Sequence, residues 1–203
     1  MNNDANEVAL KVSFDPSDET LATKEKMLND VAGTKTFRIL ASIEEENTIE
    51  FMNYIRFVEI RDTAVLLEVM NIYESSKRHD KEEGYKPQKT PPINPKVEER
   101  TLVVVREICS KQLSRYRTSL KEDQELLKKN DLSYNIRNAI LLRSGEKEIL
   151  EYMIKFVDKC LPLFSMPLKQ VRKVMVLPSH NEYIEYIKRV VIPIMTKAER
   201  EAQ

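Results

Sequence analysis

The chain has 203 residues, with 33 Lys and Arg against 33 Asp and Glu, an apolar fraction of 41%, 3 Gly, 9 Pro, 2 Cys and no Trp. That length suits one domain, or one domain with appendages, and the apolar fraction is enough for a core. A formal net charge of zero leaves no basic excess to condense on phosphate, so neither a nucleic acid nor an anionic membrane surface is expected as a partner. Cys109 and Cys160 are too few for a disulfide framework or a zinc tetrad. Both fall in apolar helical patterns and read as buried, reduced thiols of an intracellular protein, cytoplasmic or nuclear. No apolar run reaches the ~18 residues needed to span a bilayer. The polar, acidic start Met1, Asn2, Asn3, Asp4, Ala5, Asn6, Glu7 does not read as a signal or transit peptide.

Val8, Leu10, Val12 and Phe14 alternate with Ala9, Lys11 and Ser13, the period-two pattern of a half-buried strand. Asp15, Pro16, Ser17 and Asp18 end it in a turn. A helix is predicted over 19–32, with Gly33 as a residue able to follow its end, and a short extended segment over 36–41. Asn47 with Glu50 three positions later resembles a capping box, opening a helix that carries Phe51, Met52, Ile55 and Val58. A second helix is predicted over 63–73. Residues 76–96 then break the pattern with a charge run, followed by Pro87, Pro91, Pro92 and Pro95. Proline fixes φ and removes a donor, so this stretch is expected to be an extended, exposed loop. A proline-rich ligand motif is disfavoured because no clean PxxP frame with a basic anchor is present.

The second half reads as helical. Leu102, Val105, Ile108, Cys109, Leu113 and Tyr116 recur at helical spacing over 97–117. Ser119 and Glu122 form an S-x-x-E box, with Thr118 an alternative cap. Ser133 caps a long helix over 134–161 with a broad apolar stripe, ended by Pro162. Another helix is predicted over 167–177. Ser179 and Glu182 suggest a further capping box, and the last helix should kink at Pro193. The fold class is therefore all-α, an irregular multihelical array of about seven helices, with one short N-terminal strand lacking an evident sheet partner.

Little here reads as catalytic. His79 and His180 are the only histidines, and neither has a spaced Cys or His partner for a metal. No close set of glycines could cradle a phosphate. Glu44, Glu45 and Glu46, then Glu98 and Glu99, then Glu122 and Asp123 sit at helix starts, where acidic residues complement the helix dipole. One stretch resists a bland reading: Arg143, Ser144, Gly145, Glu146 and Lys147 interrupt the long apolar stripe. Glycine inside a helix costs about 1 kcal/mol relative to alanine, so Gly145 points to a close packing contact. Arg143 and Glu146 have the i,i+3 spacing of an ion pair. A structural node is favoured there over a ligand contact.

The series Tyr116, Thr118, Ser119, Glu122, Asp123 and Leu127, then Leu132 and Ser133, then Ala139, Ile140, Arg143, Gly145, Glu146, Lys147, Ile149 and Leu150 resembles the C-terminal substrate-binding domain of SET-type protein methyltransferases. These are the methyltransferases related to the Rubisco large-subunit lysine methyltransferase, and the Arg143 to Leu150 stretch is nearest the actin-histidine methyltransferase group. Weaker similarity lies at Val8 to Val12, Asp15 to Asp18, and Pro92 to Pro95. Ser119 stands where a second Thr is usual in the family, and Asn135 where an Arg is common.

The resemblance implies a substrate-binding domain over 1–160, with the loop 76–96 inside it and a helical extension over 161–203. It implies a protein substrate as partner, and no catalytic residue or metal in this chain. No cofactor is expected, because S-adenosylmethionine would be bound by a SET domain whose residues are not found in this sequence. The chain thus reads as a family protein without its catalytic half. Tyr85, Lys86, Lys89 and Ile93 are the candidate rim of a substrate-protein groove. The signature residues Tyr116, Thr118, Glu122, Asp123, Arg143, Gly145, Glu146 and Lys147 are expected to be structural. The competing reading is a helical adaptor or scaffold that binds a protein partner with no methyltransferase link.

Overall fold

The computed structural model describes residues 7–28, 33–76 and 89–202. The strand expected at the start is β1 (Val8–Val12), and its Val8, Leu10 and Val12 turn inward while Ala9 and Lys11 face solvent. It does not stand alone. The extended segment after it becomes β2 (Lys35–Ile39), antiparallel to β1 in a register that pairs Val8 with Ile39 and Val12 with Lys35. Both strands put every second side chain on one face, so the pair can lie on a helical layer.

Eight helices follow among the described residues: α1 (Leu21–Leu28), α2 (Glu46–Glu59), α3 (Thr63–Ser76), α4 (Pro95–Leu113), α5 (Leu120–Leu127), α6 (Tyr134–Cys160), α7 (Leu168–Val174) and α8. The last, α8, starts at Ile184–Tyr186, widens to a π turn at Ile187–Val191 and continues as Ile192–Glu201. Pro193 sits just past that turn. A proline cannot donate to the carbonyl four residues back, and the wider turn accommodates the loss where a kink is expected.

Helix starts follow the cap chemistry only in part. Asn94 accepts from the Val97 amide with Pro95 in the first turn, Ser119 and Glu122 form the complete capping box, and Ser133 accepts from the Ile136 amide. The box at Asn47 does not form, because α2 already begins at Glu46 with no side-chain cap. Ser179 falls inside a turn and does not precede a regular helix. Residues 178–183 are a 3₁₀ turn that takes up the chain before α8.

The sheet lies on α2 and α4, and α4 runs along α6. The Arg106 guanidinium meets Asp158 at 2.8 Å, while Tyr116, further along, reaches Glu146. The two helices are therefore antiparallel, and the first part of α6 reaches beyond the end of α4, where α5 packs on it. One continuous core includes Leu10, Phe51, Phe57, Leu102, Leu150 and Phe156. Phe14 stands edge-on to Tyr54 and Phe57, at 6.0 and 6.1 Å between centroids. Residues of the expected C-terminal extension share this core. Leu163, Val171, Tyr183, Ile187 and Val191 are buried in the same cluster. Cys109 and Cys160 are free and buried. No helix of the described residues is long and apolar enough to cross a membrane.

Candidate functional site

Three buried charge clusters hold the helices in place. Near the start, the fully buried Lys24 ammonium donates to Asp18 at 2.5 Å and to the Val58 carbonyl at 2.6 Å. Burial lowers its pKa, and Asp18 opposes that shift. The cluster ties the turn after β1 to the end of α2.

The second cluster gathers the sequence signature. The Asp123 carboxylate, with no exposed surface, accepts from the Arg143 guanidinium at 2.6 and 3.0 Å and from the Lys147 ammonium at 2.5 Å. The Thr118 hydroxyl donates to it at 2.8 Å and accepts from Lys147 at 2.9 Å. That use of Thr118 explains why Ser119 supplies the cap. Burial alone would push the Asp123 carboxyl up, but the donors from Arg143, Lys147 and Thr118 outweigh it and hold its pKa at about 2. The Lys147 ammonium lies 5.2 Å from the Tyr116 ring centre, and the Tyr116 hydroxyl donates to Glu146 at 2.6 Å. The expected pairing of Arg143 with Glu146 within α6 is not made. Each finds a partner off the helix, Asp123 and Tyr116, because α5 and the loop before it pack on α6 at this level. Gly145 is buried beside them, so a larger side chain there would have to displace its neighbours. Glu122 stays on the outside, in the capping box.

The third cluster escaped sequence reasoning. Arg56 of α2 grips Glu98 of α4 in two bonds, at 2.6 Å from Nε and 2.8 Å from Nη2, and its Nη1 donates to Asn53. The Tyr186 hydroxyl of α8 donates to the same Glu98 at 2.5 Å. All three are buried. Burial works against the Arg56 charge, but Glu98 raises its pKa, while burial and Glu98 together drive the Tyr186 phenol well above its ordinary value. Glu98 therefore does more than complement the α4 dipole. These residues lie 42 and 88 positions from Glu98. The available local signal is a charged Arg56 set between apolar Ile55 and Phe57 in a mostly apolar run from Phe51 to Val58.

Arg56 and Tyr186 also floor a cleft of about 320 Å³. Ile49 and Met52 of α2, Pro91 and Pro92, Phe156 of α6 and Val190 of α8 give it apolar walls. Glu44 stands at its edge with Glu185, which pairs with Arg189 at 3.1 Å. Arg189 and Val190 lie in the π turn, which re-aims them relative to a regular helix. An apolar cleft with a few fixed polar groups is the usual form of a binding site.

Two of the four candidate rim residues are described. Tyr85 and Lys86 lie outside the described residues. Lys89 is exposed. Ile93, expected on the exposed loop, is instead 5% exposed in the core, because Asn94 and Pro95 start α4 immediately after it and turn it inward. The part of the loop that lines the cleft is Pro91 and Pro92. Among the described residues no three His, Cys, Asp or Glu side chains are placed to hold a metal ion.

A family model described as Rubisco LSMT substrate-binding matches residues 15–150. The chain belongs to the Rubisco LSMT substrate-binding family. The match takes in the Asp123 cluster and the cleft residues from Ile43 to Pro92, which form more than half of its lining. The human actin-histidine N-methyltransferase is 51% identical over 43 residues, 21% of this chain and 7% of that protein. A tobacco chloroplast Rubisco large-subunit N-methyltransferase is 37% identical over 60 residues, 30% of this chain and 12% of that protein. A solved structure of Rubisco LSMT bound to AdoMet has the same fold, with a TM-score of 0.58 at 20% identity. The overlap covers 92% of this chain and 42% of the other. The alignments therefore span less than half of each of these relatives. The fold likeness extends beyond residue 150, as the shared core does.

Proposed function

We propose that this chain is the substrate-holding part of a SET-type protein N-methyltransferase and transfers no methyl group itself. It docks a folded protein so that a lysine or histidine reaches a SET domain. S-adenosylmethionine binds that SET domain and not these residues, and the work is done inside the cell. The observation that carries this reading is the family match over residues 15–150, which includes the whole Asp123 cluster. The cleft beside Pro91 and Pro92 supports it with a preformed apolar surface, backed by the Arg56–Glu98–Tyr186 bonds, that changes little on binding.

The test has two arms. Labelled S-adenosylmethionine is mixed with protein extract and the chain, and no transfer above the chain-free control is expected. Robust methylation overturns the non-catalytic part. In the second arm, folded actin and folded Rubisco are passed over the immobilised chain. Binding to one of them is expected, weakened about tenfold, or roughly 1.4 kcal/mol, by Ile49→Asp in the cleft wall, where Ile49 is 42% exposed. Failure to bind either, with the fold intact, overturns the holding role.

A further inference from the structure

The two-stranded sheet leaves one edge of β1 without a strand among the described residues. Alongside that strand runs a groove of about 530 Å³. Its lining includes the five consecutive residues from Ala9 to Ser13, so it follows the strand and does not sit over one face of it. The opposite wall is a stripe of α4, Val104, Ile108 and Lys111 at spacings of four and three, with Arg115 in the turn that follows the helix. Leu10, Val12 and Val58 close the bottom. None of these residues lines the cleft beside Pro91 and Pro92.

A strand edge facing a helix wall across an apolar floor is the geometry by which folded domains add an extended peptide to a sheet. Main-chain bonds to the edge supply affinity, and alternate side chains of the peptide drop into the groove. Charge selects the peptide. Lys11, Lys111 and Arg115 rim the groove, and neither lysine has an acidic partner among the described residues. The Arg115 guanidinium donates to the neutral Gln112 at 2.9 Å and meets no acid among the described residues. The one acid in the lining, Glu59, is buried and faces Arg61 at 3.5 Å. The cationic rim is thus unspent, while the acid is matched from within.

We infer that this groove binds an extended acidic segment of a partner protein by strand addition to β1, with alternate apolar side chains on Leu10, Val104 and Ile108, and carboxylates against Lys11, Lys111 and Arg115. The inference does not depend on the methyltransferase reading, because it uses other residues and another mode of contact.

Fluorescence anisotropy of the full chain with a labelled peptide of alternating glutamate and valine tests it. Three comparisons are read. A peptide with lysine in place of glutamate should not bind. The acidic peptide N-methylated at every second amide keeps its charge but cannot complete the ladder on one side, and should bind at least about tenfold more weakly. The double variant Lys111→Glu, Arg115→Glu changes two exposed side chains and should weaken binding by a similar factor with an unchanged melting temperature. Equal binding of the N-methylated peptide reduces the site to a charged surface and overturns strand addition. Equal binding to the double variant places the peptide elsewhere. No binding of the acidic peptide at low salt, where charge attraction is strongest, overturns the proposal outright.

Discussion

Replacing Asp123 with Asn tests the signature cluster most directly. The amide keeps nearly the shape and one acceptor, but it removes the charge that Lys147 and Arg143 share. Arg143 is 35% exposed on its side chain and can turn to water, whereas the Lys147 side chain has no exposed surface. It is left with the Thr118 hydroxyl at 2.9 Å and the Ser119 carbonyl at 3.5 Å. Removing one partner of a buried pair typically costs about 3–5 kcal/mol, because the other charge stays desolvated. We expect about 3 kcal/mol at neutral pH in urea unfolding. For a chain of this length that is a melting-temperature drop of roughly 6–12 °C. The pH dependence isolates the charge. The Asp123 carboxyl titrates at about 2 folded, against an ordinary 3.8, so its contribution is complete above the unfolded value and disappears as pH falls through the folded one. The difference is worth about 2 kcal/mol at 1.36 kcal/mol per unit. The gap between wild type and Asp123→Asn should therefore narrow by about that amount between roughly pH 5 and pH 2. A variant within about 0.5 kcal/mol of wild type, or a gap that does not change with pH, refutes the reasoning.

Tyr186→Phe removes a hydroxyl donor from the buried Glu98 carboxylate and should destabilise by about 1–3 kcal/mol in the same urea assay; a neutral result would mean that Arg56 alone satisfies Glu98. Gly145→Leu should cost about 1–3 kcal/mol by overpacking, and a stabilised variant would show the position to be open enough for helix propensity to win. Neither thiol should react with an exposed-thiol reagent in the native chain at mildly alkaline pH, and both should react in urea. Burial pushes Cys109 up to about 12 and moves Cys160 the same way, so fast native labelling of either would contradict its placement.

Local patterns carried the sequence reading a long way. The alternation from Val8 to Val12 and the stripe from Ile140 to Val157 each place their own side chains, because periods of two and 3.6 are set by the backbone itself. The Ser119 and Ser133 caps were legible for the same reason, since a cap needs only neighbours three residues on. The signature residues were visible as a cluster in the chain, yet their partners were not. An i,i+3 pairing of Arg143 with Glu146 is what an isolated helix offers, and it gave way to Asp123 and Tyr116 once α5 and the loop before it packed on α6. The extended segment that becomes β2 was legible over 36–41, but its pairing with β1 was not, because Thr36 and Arg38 dilute the apolar signal that would mark it as a sheet partner. Arg56, Glu98 and Tyr186 come from three helices, and no local window holds two of them. Ile93 went wrong through its company. Four prolines nearby suggest exposure, but a residue just before a helix cap is often the one that turns into the core.

The bond from Tyr186 to Glu98 also bears on where this polypeptide can be cut. A fragment trimmed to the stretch most like its relatives, ending near Leu150, would keep Arg56 and Glu98 but lose the phenol between them and the solvent. It would lose as well Met153, Phe156 and Val157 from the far end of α6, and Ile187 and Val191 from α8, leaving an apolar face of α4 bare. Such a piece should aggregate or melt without a cooperative transition, while one that runs through Met195 should unfold in a single step. The stretch matched by the family model and the unit that folds thus have different ends here, and expression trials or domain grafts should follow the second.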